Sequence, residues 1–187
     1  GGNLNTARLG IGGAGTQTAA LGFGGYTAGP PVSGPTGATE LYNGIAWTTS
    51  PASLNTSRGV NVSGGTQTSA IAAAGGPPAG NGRTTETWNG TSWTNGPLLG
   101  SAIYYRTGTG TVNSAFAAGG SPNGTTSVAT TETYNGTSWT AGGSLASPTS
   151  FAASVGTAAD GLSIAGGRSE EHTSELQSRF GISYAVF

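Results

Sequence analysis

The chain has 187 residues, 36 of them glycine, with only 7% charged residues and a formal net charge of -1. Because disorder usually pairs low hydrophobicity with high net charge, and 34% of this chain is apolar, the composition indicates a folded, turn-rich protein. The absence of lysine and the few scattered arginines argue against a basic face for nucleic acid, and the absence of cysteine excludes disulfides, thiol nucleophiles and cysteine-ligated metals.

The first residues, Gly1 to Leu4, show neither an initiating methionine nor a signal peptide, and we expect them to come from inside a longer protein. No stretch of 18 apolar residues occurs, so no membrane insertion is expected. The chain instead alternates short apolar segments with glycine-rich turns, and this pattern favours β-structure.

An eleven-residue string recurs along the chain, at 38–48, 84–94 and 130–140. It contains a glutamate and, seven positions later, a tryptophan, and both repeat at intervals of 46 residues. Ahead of each string, and once more after the last, a short apolar stretch ends in a glycine pair. The repeated positions are Glu40, Glu86 and Glu132, Trp47, Trp93 and Trp139, and the pairs Gly24–Gly25, Gly75–Gly76, Gly119–Gly120 and Gly166–Gly167.

Four short strands are predicted in each repeat. The first alternates apolar and polar residues, as at 59–63, and the second is the apolar stretch before the glycine pair, which is typical of a strand buried on both faces. The third strand, Thr-Glu-Thr followed by an aromatic residue, and the fourth, Thr-Ser-Trp-Thr, flank an Asn-Gly pair. This pair predicts a two-residue hairpin turn with both residues at positive φ. No segment shows the apolar spacing of a helix.

Four strands per unit, at a period near 45 residues, are typical of propeller blades. The glycine pair after the second strand, the aromatic residue in the third and the tryptophan in the fourth resemble the kelch repeat, as in the central domain of galactose oxidase-type proteins. We therefore expect an all-β fold, a kelch-like β-propeller fragment of about three and a half four-stranded blades of a larger propeller. The blades are assigned to about 1–48, 49–94, 95–140 and 141–167.

Blade packing follows from this expectation. A single blade cannot bury its own faces, so each repeated tryptophan is expected to pack on a neighbouring blade, and the incomplete ring to form an open arc. Each repeated glutamate is expected to pair with an arginine or a backbone N–H of the neighbouring blade. Kelch repeats often carry an arginine in the loop after the tryptophan, and Arg58 suits that place. The matching offsets hold Tyr104 and Ser150, so this arginine is not expected in every blade.

The composition changes abruptly at Arg168, after which the chain reads RSEEHTSELQSRFGISYAVF. These residues include the one histidine, His172, and three of the seven acidic residues. They resemble a translated sequencing adapter, with 168–178 and 182–187 matching its constant parts and 179–181 its variable index. We expect 168–187 to be a non-native tail of metagenomic origin, and the natural protein to continue beyond residue 167.

Residues that break the repeat are the candidates for ligand contact, because function in propellers resides in variable loops on one face. They are Tyr26, Tyr104, Tyr105 and Arg106, together with the loops 27–37 and 77–83. The repeated glutamates, tryptophans and glycines are predicted to be structural. No catalytic residue, metal site or cofactor is predicted, since the chain without its tail lacks histidine and cysteine and its glutamates form no acid/base pair.

We therefore expect a non-catalytic binding or structural module, located outside the cell or on a virion. The repeats look like those of marine phage structural and fibre proteins and of adhesin-like bacterial surface proteins, which implies a cell-surface glycan or another surface protein as partner. One alternative is a fragment of a secreted galactose oxidase-like enzyme whose catalytic residues lie outside this sequence. The other is a protein-interaction propeller, because fold alone does not separate these functions.

Overall fold

The computed structural model describes residues 1–27, 34–76 and 81–157, and the backbone of two strands further on, Leu162–Ile164 and Ile182–Tyr184. Across these residues the fold is all-β, as predicted. The helical content of the described ranges is one short 3-10 turn, Asn81–Arg83, which ends just before a strand. Within the same ranges, no helix is long and apolar enough to cross a membrane.

Three four-stranded antiparallel sheets follow one another along the chain, and each takes its strands in sequence order. These are the predicted blades, and we number them blades 1 to 3. Blade 1 contains β2 (Gly12–Thr16), β3 (Ala19–Phe23), β5 (Thr39–Tyr42) and β6 (Trp47–Thr49). Blade 2 contains β7 (Val62–Thr66), β8 (Ser69–Ala73), β9 (Thr85–Trp88) and β10 (Trp93–Asn95). Blade 3 contains β11 (Gly110–Thr111), β12 (Ser114–Ala118), β13 (Thr131–Tyr134) and β14 (Trp139–Ala141).

Two smaller sheets complete the described strands. A pair formed by β1 (Arg8–Leu9) and β4 (Tyr26–Thr27) lies beside blade 1. After blade 3, β15 (Ala153–Val155) pairs with β16 (Leu162–Ile164), which pairs with β17 (Ile182–Tyr184). This last strand belongs to the predicted non-native tail. Backbone pairing is open to almost any sequence, so the adapter origin of the tail stays a prediction. Gly166 and Gly167 lie outside the described residues.

The second strand of each blade is buried over its last three or four residues, as the sequence predicts. Ala70, Ile71, Ala72 and Ala73 of β8 have no exposed surface, although their side chains alternate between the two faces of the sheet. The core therefore lies between successive sheets. Small side chains on this strand allow the neighbouring blade to approach closely on both sides.

The turns between third and fourth strands differ from the two-residue turns that the sequence predicts. In blade 1, Tyr42 pairs with Trp47, so the loop contains four residues. Only its glycine has positive φ, at 91° for Gly44. The asparagine closes the loop instead through its side chain, since Asn43 Oδ1 accepts N–H bonds from the residues two and three positions later, both at 2.9 Å. An asparagine in this role needs no left-handed backbone.

The glycine pair of blade 2 is also displaced from the predicted register. Phe23 pairs with Thr39 in blade 1, and Ala73 pairs with Thr85 in blade 2. The equivalent of Gly24 is therefore Ala74, which takes the same left-handed conformation, with φ of 52° against 67°. The recurrence of the glycine pair predicts Gly75–Gly76 at this bend, and glycine normally supplies its conformation. The first strand of blade 2 likewise begins at Val62, three residues later than predicted.

Candidate functional site

The three repeated glutamates are buried structural carboxylates, each held by an arginine. Glu40 accepts from Arg8 at 2.7 Å, Glu132 accepts from Arg106 at 2.6 Å, and Glu86 pairs with Arg58. A backbone N–H completes each site: Asn5 donates to Glu40, Gly100 to Glu132 and Asn55 to Glu86. These partners come from the segment that leads into the same blade. The predicted pairing with a neighbouring blade is therefore wrong.

That connecting segment nevertheless joins two blades. The side chain of Arg58 enters blade 2, where it also donates to the carbonyl of Ala72 at 3.1 Å. Its own carbonyl accepts the N–H of Gly25 in blade 1 at 2.8 Å. Burial lowers the pKa of the Arg58 guanidinium, and the charge of Glu86 opposes that shift. The arginine thus fixes two successive blades at once.

Arg106 takes this structural role in blade 3, although the sequence suggests a ligand contact for it. Its side chain is fully buried, with the guanidinium directed at Glu132 and at the carbonyl of Gly119. Arg58 follows Trp47 by eleven residues, whereas Arg106 follows Trp93 by thirteen. The connecting segments differ in length, so the residue eleven positions after Trp93 is Tyr104, and the arginine lies two positions later.

Two of the three tryptophans join consecutive blades. The indole N–H of Trp93 donates to Thr39 Oγ1 in blade 1, and that of Trp139 donates to Thr85 Oγ1 in blade 2, both at 2.9 Å. The Trp93 ring also packs on Phe23, with centroids 4.7 Å apart. These contacts confirm the predicted packing between blades. In the first described blade, the Trp47 ring packs at a tilt on Tyr42 of its own blade, with centroids 5.1 Å apart.

A repeated leucine was missed in the sequence, although it is part of the core. Leu54, Leu99 and Leu145 are at most 5% exposed, and each donates its N–H to the loop before the third strand of the preceding blade. They follow the repeated tryptophans by seven, six and six residues. A search for apolar residues at this distance would have found them.

An open cavity of about 490 Å³ lies at one end of the described blades. In a sheet of four consecutive antiparallel strands, the link from strand two to strand three and the link to the next blade emerge at the same end. The cavity lies among these links, beside the first strands. We call it the aromatic cavity, and its lining residues are Leu9, Gly10, Tyr26, Gly59, Val60, Asn61, Gly76, Tyr105 and Phe151.

Two residues predicted to contact a ligand, Tyr26 and Tyr105, meet in this cavity although 79 positions separate them. Tyr104 does not line it, but its ring and that of Tyr105 pack edge-to-face, with centroids 6.4 Å apart. The predicted variable loops are described only in part, because residues 28–33 and 77–80 lie outside the described ranges. The structure therefore brings two of the four candidate residues together on one surface, and their contact with a ligand stays a prediction.

Tyr26 occupies a position that glycines keep open. A Cβ added at Gly59 would lie 2.5 Å from the ring, and one added at Gly76 would lie 2.8 Å from the hydroxyl oxygen. A hydrogen bond joins this hydroxyl to the backbone of Gly59. Partial burial raises the pKa of Tyr26 above its ordinary value, so the phenol stays neutral at physiological pH. The ring offers a fixed apolar wall.

Tyr105 and Phe151 face this wall in an unusual backbone conformation. Their φ angles are 55° and 56°, in the left-handed region that bulky residues rarely adopt. Their rings are stacked, with centroids 4.3 Å apart. The N–H of Phe151 donates to the carbonyl of Tyr105, and in the earlier blades Val60 donates in the same way to Gly10, whose φ is 63°. Tyr105 therefore stands where blade 1 has glycine.

Phe151 was not singled out in the sequence, although a signal was present. It follows Trp139 by twelve residues, as Tyr105 follows Trp93. Comparison of the residues at equal distances from the repeated tryptophans would have singled out Tyr105 and Phe151 together. The side chain of Phe151 is 64% exposed, so the packed core gains little from it.

The aromatic cavity is lined by few polar groups and by no charged one among the described residues. None of its described lining residues is ionised at neutral pH. Asn61 lines the cavity, and its Oδ1 is buried without a hydrogen-bond partner among the described residues. Across the described ranges no group of histidine, cysteine, aspartate or glutamate side chains could hold a metal ion. The arrangement can bind a small neutral molecule with an apolar face.

Comparison with known proteins does not assign a function to this cavity. No protein-family model matches the chain, and no curated protein sequence matches it.

Proposed function

We propose that this protein is a non-catalytic recognition module, displayed on a cell surface or a virion, that binds a glycan through the aromatic cavity. One observation carries the proposal. Tyr105 and Phe151 hold stacked rings at the cavity in left-handed backbone conformations. Strained residues of this kind concentrate at functional sites.

The strain is difficult to explain by folding alone. A left-handed residue with a side chain costs roughly 1–2 kcal/mol relative to glycine. Blade 1 forms the equivalent bend with Gly10 and avoids this cost. The exposed ring of Phe151 regains little of it through burial. A ligand that covers the rings would supply the missing stabilisation.

A sugar ring fits this surface by its chemistry. One face of a pyranose exposes C–H groups that pack on aromatic rings, while its hydroxyl groups need a few polar partners at the edge. The aromatic cavity provides three aromatic rings, and Asn61 is a polar residue in its lining. Its volume of about 490 Å³ lies in the range of small-molecule sites. The family resemblance of the repeats supports the same class of ligand.

The test replaces the strained aromatic residue by the residue that the fold prefers. In Phe151→Gly we expect the free energy of unfolding to stay within about 1 kcal/mol of the wild type or to rise. Relief of the left-handed strain offsets the greater conformational entropy that glycine gives the unfolded chain. We expect affinity for a glycan identified on an array to fall about fivefold, since aromatic packing contributes roughly 1 kcal/mol. Chemical denaturation and titration calorimetry measure the two quantities.

Ile45→Ala is the matched control, because Ile45 is also exposed and apolar but lies on a loop at the opposite end of blade 1. It should change neither quantity. The proposal would be refuted if Phe151→Gly lowered the free energy of unfolding by more than about 2 kcal/mol and left glycan binding unchanged, since that result assigns the ring to the core. Retention of no glycan by the wild type would also refute it.

A further inference from the structure

We infer that the aromatic cavity selects a neutral sugar that carries an apolar substituent, and that Leu9 determines this choice by packing on the methyl group of that substituent. Such a methyl group is present in 6-deoxyhexoses and in N-acetylhexosamines. The inference rests on the proposed function and names the class of sugar.

The lining of the cavity has an aromatic part and an aliphatic part. Tyr105 and Phe151 provide the stacked rings, from the segments that lead into blade 3 and into the sheet that follows it. Leu9 and Val60 provide aliphatic side chains, from the segments that lead into blades 1 and 2. One C–H face of a sugar covers the rings. A second apolar group on the ligand is needed to cover the aliphatic part.

Leu9 has a larger side chain than the fold requires at its position. It follows Arg8, which holds Glu40. In blade 2 the equivalent arginine, Arg58, is followed by Gly59, so the same segment forms there without a side chain. Leu9 is 50% exposed in the cavity. A methyl group of the ligand that covers it removes apolar surface from water, which favours binding.

The aliphatic part of the cavity is unfavourable for the hydroxyl groups of an unsubstituted hexose. Its side chains have no polar atom. Nearby, the hydroxyl of Tyr26 is already hydrogen-bonded to the backbone of Gly59, and Oδ1 of Asn61 is buried. A hydroxyl group directed at the aliphatic part would lose its water partners without replacement, whereas a methyl group there has none to lose. The remaining hydroxyl groups stay in water, because the cavity is open.

The substituent must also be uncharged. A carboxylate that enters an apolar site loses hydration and needs a cation in return. Of the four described arginines, three are held by buried glutamates, and the fourth, Arg83, donates to the carbonyl of Leu99 at 2.6 Å. No described lining residue could therefore pair with an acidic sugar.

The experiment uses the full chain and methyl glycosides that differ from methyl glucoside or methyl galactoside in one group. The 6-deoxy derivative has a methyl group in place of the hydroxymethyl group, the N-acetyl derivative has an acetamido group in place of a hydroxyl, and the uronate has a carboxylate. At least one methyl-bearing derivative should bind about five- to tenfold more tightly than its parent, and the uronate about tenfold more weakly. Titration calorimetry measures the affinities, and the derivative that gains affinity identifies the source of the methyl group.

Leu9→Ser should reduce this preference to less than about twofold and leave the affinity for the parent sugar within about twofold. The backbone pairing of Leu9 with Tyr26 does not depend on the leucine side chain. Leu98→Ser is the matched control, because Leu98 is 57% exposed and is not among the lining residues of the cavity, and it should keep the preference of the wild type. If Leu9→Ser does not fold, Leu9→Gly, which has the residue of the equivalent place in blade 2, provides the same test.

The outcomes separate the inference from the proposed function. If the wild type retains a glycan on an array but prefers neither methyl-bearing derivative, or prefers the uronate, the inference fails alone. A preference that persists in the Leu9 variant has the same meaning, since the methyl group is then held elsewhere. If the wild type retains no glycan, the proposed function fails and the inference fails with it.

Discussion

Glu86 shows at the residue scale how much of each blade depends on one buried charge. Its carboxylate has no exposed surface and is held by Arg58 and by the backbone N–H of Asn55 at 2.7 Å. Removal of one partner from a buried ion pair leaves the other charge desolvated and unpaired. The pair therefore fixes the geometry of the blade more than it adds to net stability.

We expect Glu86→Ala to lower the free energy of unfolding by about 3–5 kcal/mol, because the Arg58 guanidinium is then buried without a counter-charge. Urea denaturation measures the change. Thr87→Ala, one residue further along β9 and half-buried, should cost less than about 1 kcal/mol and serves as control. A loss below about 1 kcal/mol in Glu86→Ala would show that the pair is dispensable.

The bend after the second strand is the feature that matters at the element scale. Gly119 has φ of 61°, and a Cβ there would lie 2.5 Å from the carbonyl oxygen of Thr149, in the segment leading to the next sheet. Ala74 forms the equivalent bend in blade 2 with a methyl group already present. The two sites differ in the space around the Cβ and share the backbone conformation.

Gly119→Ala should therefore destabilise the protein by about 2–5 kcal/mol, the sum of left-handed strain and overpacking. The reciprocal Ala74→Gly should stay within about 1 kcal/mol, since relief of strain offsets the lost methyl group. Thermal denaturation of both variants measures the difference. Equal effects would mean that backbone conformation alone governs the bend, and that the contact with the next sheet is unimportant.

The same scale explains what the sequence could and could not predict. Strands and their order follow from local periodicity, and the strings around Glu86 and Glu132 recur at constant spacing, so both were found. The links between blades differ in length, and Arg106 reaches its glutamate from a later position than Arg58 does. Fixed offsets fail in such segments. The aromatic cavity is built from these links, and Tyr26 and Tyr105 stand out in the sequence as exceptions to the repeat. Phe151 follows its tryptophan at the same distance as Tyr105, so comparison of this one position between repeats identifies it.

Over the whole molecule, stability is distributed between neighbours. The described clusters of buried side chains span adjacent blades, as when Phe23 of blade 1 packs with Trp93 of blade 2. In repeat architectures of this kind each unit contacts only the next, so the total is close to a sum of unit and interface contributions. The hydrogen bonds from Trp93 to Thr39 and from Trp139 to Thr85 make that description measurable.

Double-mutant cycles with Trp→Phe and Thr→Val test this nearest-neighbour coupling. The cycles for Thr39 with Trp93 and for Thr85 with Trp139 should each give a coupling energy of about 0.5–1.5 kcal/mol, the contribution of one hydrogen bond. The cycle for Thr39 with Trp139 should be additive within about 0.5 kcal/mol, because the two side chains belong to interfaces that share no contact. Guanidinium denaturation supplies all the free energies. Coupling in the third cycle as large as in the first two would show that the blades unfold through a shared core, and the description as a linear array of neighbours would fail.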